Sequence, residues 1–395
     1  MMATLWPVLL ASAVGLVPFT VFSTFLVPIA GEADTGVATM GSLRGLGGLA
    51  ALLVGTALAP LIDRLPKEWT AAGGLLLLGV SSALGAVGDI VTLAAFCLLI
   101  GAATAVLNPA LGAAAADRYG SGAAAGRAAT LVTATQSLTA MLAGPVVALP
   151  AMIWGWQGDL LGVAAISVLL AVILLGRRRD NPTTKQDGPR LGYLASFRAL
   201  VAVPGAVPLL LVALLRTGAF MGYLAYLAAF YDERFALSPG TFAFVWTLSG
   251  ASFFVGNLFV GRFISATGSG AQIERVLVVG LVVALAAVIG FYVSPVLPVA
   301  LAFTGLLGLS HATVAACVVS LLVRRCGPLR GSALSINAAG MSLGVFAGAG
   351  LGGLGLGMGG YPGTAAVFGG LTLIALLAAC TVRRAPAPSE GSETA

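Results

Sequence analysis

Residues 177–190 read RRRDNPTTKQDGPR, and the rest of the chain arranges itself around this polar stretch. On both sides of it charged side chains become rare. Of 395 residues 59% are hydrophobic and only 9% charged, with a mean hydropathy of +1.03. A soluble domain carries about 25% charged residues, so the composition excludes that class and describes an integral membrane protein.

A bilayer core about 30 Å thick takes roughly 20 apolar residues per helix. Segments of this kind fall at 5–30, 36–62, 69–88, 90–116, 128–150 and 157–176 before the polar stretch, and at 206–230, 239–263, 273–293, 297–323, 331–355 and 364–382 after it. Two divisions need a reason, because 276–323 and 331–382 contain no Asp, Glu, Lys or Arg. Ser294, Pro295 and Pro298 break the first, and the run Gly352 to Gly363 with Pro362 breaks the second. The first span has a long apolar region, no basic residues ahead of it and no small-residue cleavage site, so it is expected to be retained rather than removed as a signal. The expected fold is all-α, with twelve transmembrane helices in two pseudo-symmetric six-helix bundles. These occupy 1–180 and 206–382, with a cytoplasmic linker at 181–205 and a disordered tail at 383–395.

Short loops rich in Lys and Arg stay in the cytoplasm. With both termini inside, cytoplasmic segments hold 17 of the 20 basic residues, the outer loops hold only Arg234, and Arg44 and Arg216 remain within spans. The net charge of +6 is this asymmetry and not a nucleic-acid footprint. Eighteen Arg against two Lys, with heavy Ala and Gly use, is the composition of a GC-rich bacterial source, so a bacterial cytoplasmic (inner) membrane is expected. Cys97, Cys317, Cys326 and Cys380 form no C-x-x-C pair and read as small hydrophobes. No metal-ligand cluster or cofactor motif is present, and Ser310 and His311, about 100° apart on one helix, cannot form a nucleophile and base pair.

The two halves echo each other. Gly126-Arg127-Ala128-Ala129-Thr130-Leu131 follows span 4, and Leu329-Arg330-Gly331-Ser332-Ala333-Leu334 follows span 10. Span 2 ends in Ala59-Pro60-Leu61-Ile62-Asp63-Arg64-Leu65-Pro66-Lys67, and span 8 in Gly261-Arg262-Phe263-Ile264-Ser265-Ala266-Thr267-Gly268. Parallel repeats of this sort place a binding site at their interface. Twelve spans, the six-plus-six split, the basic central loop and the loop after span 2 together resemble the major facilitator superfamily. Its cytoplasmic signature G-x-x-x-D-R-x-G-R/K is matched in charge by Asp63, Arg64 and Lys67, while Ala59 and Pro66 replace its glycines. The resemblance implies that Asp63 holds the positive N-terminal end of span 11 while the inner gate is shut, within a network of Arg64, Lys67, Arg118 and Arg127. Exposed loop charges acting only as a topology signal are the other reading.

Ala140-Met141-Leu142-Ala143-Gly144-Pro145 is similar to the G-x-x-x-G-P element of the superfamily's drug and metabolite antiporters, with a helix kink expected at Gly144 and Pro145. That resemblance implies proton-coupled efflux of a small organic molecule. Such antiporters often carry an acid in span 1 or 4 and an Arg ahead of the span 4 glycine, but here Cys97 stands before Gly101 and no Asp or Glu lies deep in a span. His311, the only histidine, is then the one group titrating near neutrality, or else a neutral imidazole bonded within the bundle.

A guanidinium at membrane depth is costly, so by default it faces a wet cavity with a partner. In the family fold spans 1, 4, 7 and 10 line that cavity, so Arg216 and His311 would face it, with Arg44 on a flanking helix. Cations without a buried carboxylate suit an anionic cargo; a tie to backbone carbonyls, Glu32 or Asp34 is the alternative. Asn108, Gln136, Asn257 and Asn337 are further candidates to bind cargo or to bond helices together, and Tyr223, Tyr226 and Trp246 to line the outer half of the cavity or an aromatic belt. Three readings follow: a proton-coupled exporter, an anion carrier reading its cargo through Arg216, or a non-transporting scaffold or receptor. A monomer in the bilayer is expected.

Overall fold

A computed structural model describes residues 2–62, 65–119, 123–176, 193–267 and 269–384, and all its regular structure is helical. The first passage is broken into α1 (Met2–Val14), α2 (Val17–Thr24) and α3 (Leu26–Glu32). Prolines make the breaks: Pro18 sits in the first turn of α2, and Pro28 has no N–H to offer the carbonyl of Thr24. Then come α4 (Val37–Ile62), α5 (Lys67–Gly85), α6 (Ile90–Asp117) and α7 (Ala123–Gly176). Asp89 starts α6 as a cap, its Oδ1 accepting from the N–H groups of Val91 and Thr92, each at 3.0 Å.

The second half holds α9 (Ala206–Phe235), α10 (Pro239–Thr267), α11 (Gly270–Tyr292), α12 (Leu297–Cys326) and α13 (Arg330–Arg384). Both α7 and α13 are two passages joined without a loop. Gly155 turns α7 with φ 71° and ψ 174°, and Gly359 and Gly360 turn α13, the latter at φ 58°. A positive φ is a conformation that a glycine takes without penalty. Divided at these turns, and with α1–α3 as one, the described helices make twelve passages. Stretches such as Ile90–Asp117, Ala124–Gly176 and Leu297–Val382 are long and apolar enough to cross a membrane, the last two more than once. The 19-residue α5 is more polar and is held between α6 and α7.

The region read from sequence as a linker is partly helical. Its described part contains α8 (Tyr193–Val201), whose Leu200 is buried with Leu209, Ile273 and Leu321 in the core of the second half. The polar stretch 177–192 lies outside the described residues.

Core packing differs along the membrane normal. The first half has one core, including Leu5, Phe22, Phe96, Leu107 and Trp156. The second half is aliphatic near the termini, around Leu277 and Val382, and aromatic on the opposite, far side, where Tyr223, Phe230, Tyr231, Phe291 and Phe368 pack together. The Thr304 hydroxyl lies 3.0 Å from Tyr223 Oη and 2.8 Å from Tyr231 Oη, so this core satisfies its own polar groups. At the termini side Arg325 closes the bundle. Its Nη2 pairs with Glu274 Oε1 at 2.5 Å and its Nη1 donates to the carbonyl of Pro204 at 3.0 Å, joining α12 to α11 and to the start of α9.

Candidate functional site

Arg216 sits in the middle of α9 and is only 3% exposed. Its Nη2 donates to Thr217 Oγ1 at 2.9 Å and its Nη1 to the backbone carbonyl of His311 on α12 at 3.4 Å, while Nε has no partner. His311 is 1% exposed, its ring stacked on Phe220 with centroids 4.7 Å apart, and its Nδ1 is also without a partner. The two residues that the sequence singles out are thus brought together between α9 and α12, in a neutral shell. Two buried polar atoms in one cluster are left unbonded, where such atoms normally find partners.

Arg44, 8% exposed, donates from Nη1 to Ser23 Oγ at 2.7 Å, and its guanidinium lies 5.7 Å from the Phe19 ring centroid. Its partners are therefore on the broken first passage. The loop acids considered from sequence are engaged elsewhere or apart: Glu32 accepts from Trp156 Nε1 at 3.1 Å and Gln157 Nε2 at 2.7 Å. Among the described residues no carboxylate pairs with either guanidinium.

The remaining candidates scatter. Gln136 donates to Asn108 Oδ1 at 3.2 Å, joining α7 to α6 at an exposed position. Asn337 is buried on α13, with only Met341 Sδ near its amide and its Oδ1 unpartnered. Of the inner-gate set, Asp63 and Arg64 lie outside the described residues, Lys67 opens α5, Arg127 is exposed and Arg118 donates to the carbonyl of Thr4 at 3.4 Å. Gly144 and Pro145 keep helical dihedrals within α7. What Gly144 provides is contact, because a Cβ there would run into the carbonyl of Ala243 on α10.

That contact belongs to a seam which the sequence reading missed. The halves meet through α4 against α13 and α7 against α10. A Cβ added to Gly48 would lie 2.5 Å from the Ser342 carbonyl and 2.6 Å from Phe346 N; one on Gly45 would lie 2.9 Å from the Phe346 carbonyl; one on Gly250 would lie 2.6 Å from the Ala140 carbonyl. Gly41 has no room for a Cβ beside the Tyr226 ring. Tyr226 Oη donates to the Ala349 carbonyl at 2.6 Å and reaches Ser42 Oγ at 3.3 Å, so it spans from its own half to the other. All of these positions lie at mid-membrane or beyond it, away from the termini. On the termini side of the same helices, Gly126 and Gly331 have nothing within 4 Å, and Gly55 meets only Ala105 of its own half. The signal was available: glycines at 41, 45 and 48 form a small-residue stripe on one face of span 2.

A twelve-passage helical fold whose helices pack closely along this seam agrees with the family comparison. The profile of the Major Facilitator Superfamily matches residues 8–273 and 273–395. The chain belongs to this superfamily. It is a transporter, not an enzyme. Its fold is similar to that of a bacterial homolog of the human lysosomal transporter Spinster in an inward-facing, unoccupied conformation, with a TM-score of 0.79 at 17% identity over 96% of this chain and 95% of that one. The nucleoside transporter NupG matches with a TM-score of 0.76 at 15% identity over 96% and 98%. The human organic anion transporter MFSD10 matches with 0.64 at 20% over 95% and 98%. No curated protein matches the sequence.

Proposed function

We propose that this facilitator-superfamily protein carries a small organic anion across the bacterial inner membrane by alternating access, as a monomer with both termini in the cytoplasm. In this arrangement the far seam is shut and the cytoplasmic side open. The observation that carries the anion reading is Arg216, a mid-membrane guanidinium bonded only to neutral oxygens with its Nε unbonded. An anion reaching it gains charge-assisted, directional bonds and supplies the missing countercharge. Thr217 and His311 hold the guanidinium until then.

Proton-coupled export is the second reading, favoured by one observation, the buried and unbonded Nδ1 of His311 beside the same arginine. Exchange of labelled cargo in proteoliposomes, run with and without an imposed pH gradient, separates the two. An anion carrier exchanges anions without a gradient and loses that exchange in Arg216→Ala. Flux that depends on the gradient and disappears in His311→Ala, with Arg216→Ala still active, would replace this reading with the second.

A further inference from the structure

Phe253 on α10 belongs to no feature described above, and it joins the cluster around Arg216. Its ring stacks on that of Phe220 with centroids 5.6 Å apart and planes 14° off parallel, and Phe220 stacks in turn on His311 at 4.7 Å and 24°. Phe220 stands one turn from Arg216 on the same face of α9. The guanidinium and the three stacked rings therefore form one site where α9, α10 and α12 meet.

The stack is closed at one end and open at the other. His311 and Phe220 are 1% and 3% exposed, as core rings are. Phe253 is only partly buried, and no other ring among the described residues pairs with it. Its open surface faces inward. At about 100° per residue, Phe253 lies about 60° from Gly250, where a Cβ would meet Ala140 and Met141 of α7, and about 60° the other way from Gly256, where a Cβ would meet Leu309 and Ala312 of α12. The outer side of α10, marked by exposed Phe244, Val255 and Leu258, is about 140–200° away around the helix. Phe253 thus fronts the space between the two halves and not the lipid. Ligand sites are apolar and aromatic surfaces with a few placed polar groups, and the open face of a ring is best covered by a second ring in offset stacking.

We infer that Phe253 is the surface on which the cargo's own ring stacks, so that the cargo is an aromatic anion, its planar ring on Phe253 and its carboxylate or other oxyanion on Arg216. Phe220 is then a positioning residue that holds Phe253 and His311 parallel. The charge in this assignment rests on the anion-carrier reading, and the ring is the addition.

The test is thermal stabilisation of the purified full-length protein by carboxylates paired by ring saturation: benzoate against cyclohexanecarboxylate, and 3-phenylpropanoate against 3-cyclohexylpropanoate, with 3-phenylpropanamide as the uncharged ring. In each pair the aromatic member is expected to bind about 2- to 10-fold tighter, the usual worth of a ring pair beyond its buried area. Phe253→Leu is expected to abolish that preference while the saturated acids bind as they do to wild type, which also shows that the variant is folded. Phe253→Trp is expected to keep or raise it. A residue that only packs would move both members of a pair together. Equal binding within each pair in wild type, or a preference that survives in Phe253→Leu, overturns the inference and leaves the anion reading standing. Equal stabilisation by 3-phenylpropanoate and its amide, with the ring preference lost in Phe253→Leu, supports the role of Phe253 and overturns the anion reading. No stabilisation by any member of the panel overturns both.

Discussion

Gly48→Ala is the most informative single change in the seam. A methyl at this position would lie 2.5 Å from the Ser342 carbonyl, 2.6 Å from Phe346 N and 2.9 Å from Val345 Cβ, and two of these three are backbone atoms that a rotamer change cannot move. The overlap is relieved only if α4 and α13 separate. Forcing an extra carbon into a packed site costs about 1–3 kcal/mol. In the alternate conformation the far halves of these helices part, so the cost falls on one state only. At about 1.4 kcal/mol per tenfold, the ratio of far-open to far-closed protein rises roughly 5- to 150-fold. Pulsed dipolar distances between spin labels at Asp34 and Glu233, both exposed on the far side, report the ratio when Cys97, Cys317, Cys326 and Cys380 have been replaced. Wild type is expected to show mainly the short distance, and Gly48→Ala a new long one. Two controls bound the reasoning. Gly55→Ala meets only Ala105 Cβ at 4.0 Å and leaves the distribution unchanged. Gly344→Ala collides with Leu214 inside the second half, so it lowers stability without moving the ratio. An unchanged distribution in Gly48→Ala, or an equal shift in Gly55→Ala, would refute the argument.

Other expectations follow from single contacts. Tyr226→Phe removes the contacts of its hydroxyl across the seam, with Ser42 Oγ at 3.3 Å and the Ala38 carbonyl at 3.4 Å, and, at about 1 kcal/mol for such a bond, raises the far-open to far-closed ratio severalfold. Arg325→Ala strips Glu274 of its partner and leaves the Pro204 carbonyl unbonded; a loss of about 2–4 kcal/mol, read as a lower Tm with a normal distance distribution, is expected, and Glu274→Gln should cost less. The Asp89 carboxyl is held below the usual range, chiefly by the Thr92 backbone N–H that it caps. A depressed pKa in the folded state stabilises above the unfolded value and is lost only as pH falls through the folded one. Hydrogen exchange at the start of α6 should therefore stay slow from pH 8 down to pH 5 in wild type and be faster throughout in Asp89→Ala.

The long apolar runs and the charged loop after span 2 were enough to read the membrane class and the family, because membrane insertion constrains every residue of a span. The turns within α7 and α13 fall inside the gaps that the counting left at 151–156 and 356–363. The turns at Gly155 and Gly360 need no polar loop, since a glycine at positive φ reverses the chain within a residue or two. At the site, Arg216 and His311 were legible as charge in the wrong solvent, and the structure joins them through a backbone carbonyl that no sequence pattern encodes. Arg44 pairs with Ser23 and Phe19 of α2 instead of a loop acid. The seam glycines were present in the sequence as a stripe, but among 54 glycines only packing distinguishes those that meet the other half.

The central claim is that Arg216 reads a negative charge on the cargo, and ligand binding to purified protein tests it without any assumption about coupling. Thermal stabilisation by a panel of small carboxylates is compared with that by their methyl esters, in wild type, Arg216→Lys and Arg216→Ala. The account predicts that at least one carboxylate stabilises wild type while its ester does not, with the effect weakened in Arg216→Lys and absent in Arg216→Ala. Equal stabilisation by acid and ester, or an undiminished effect in Arg216→Ala, would contradict it.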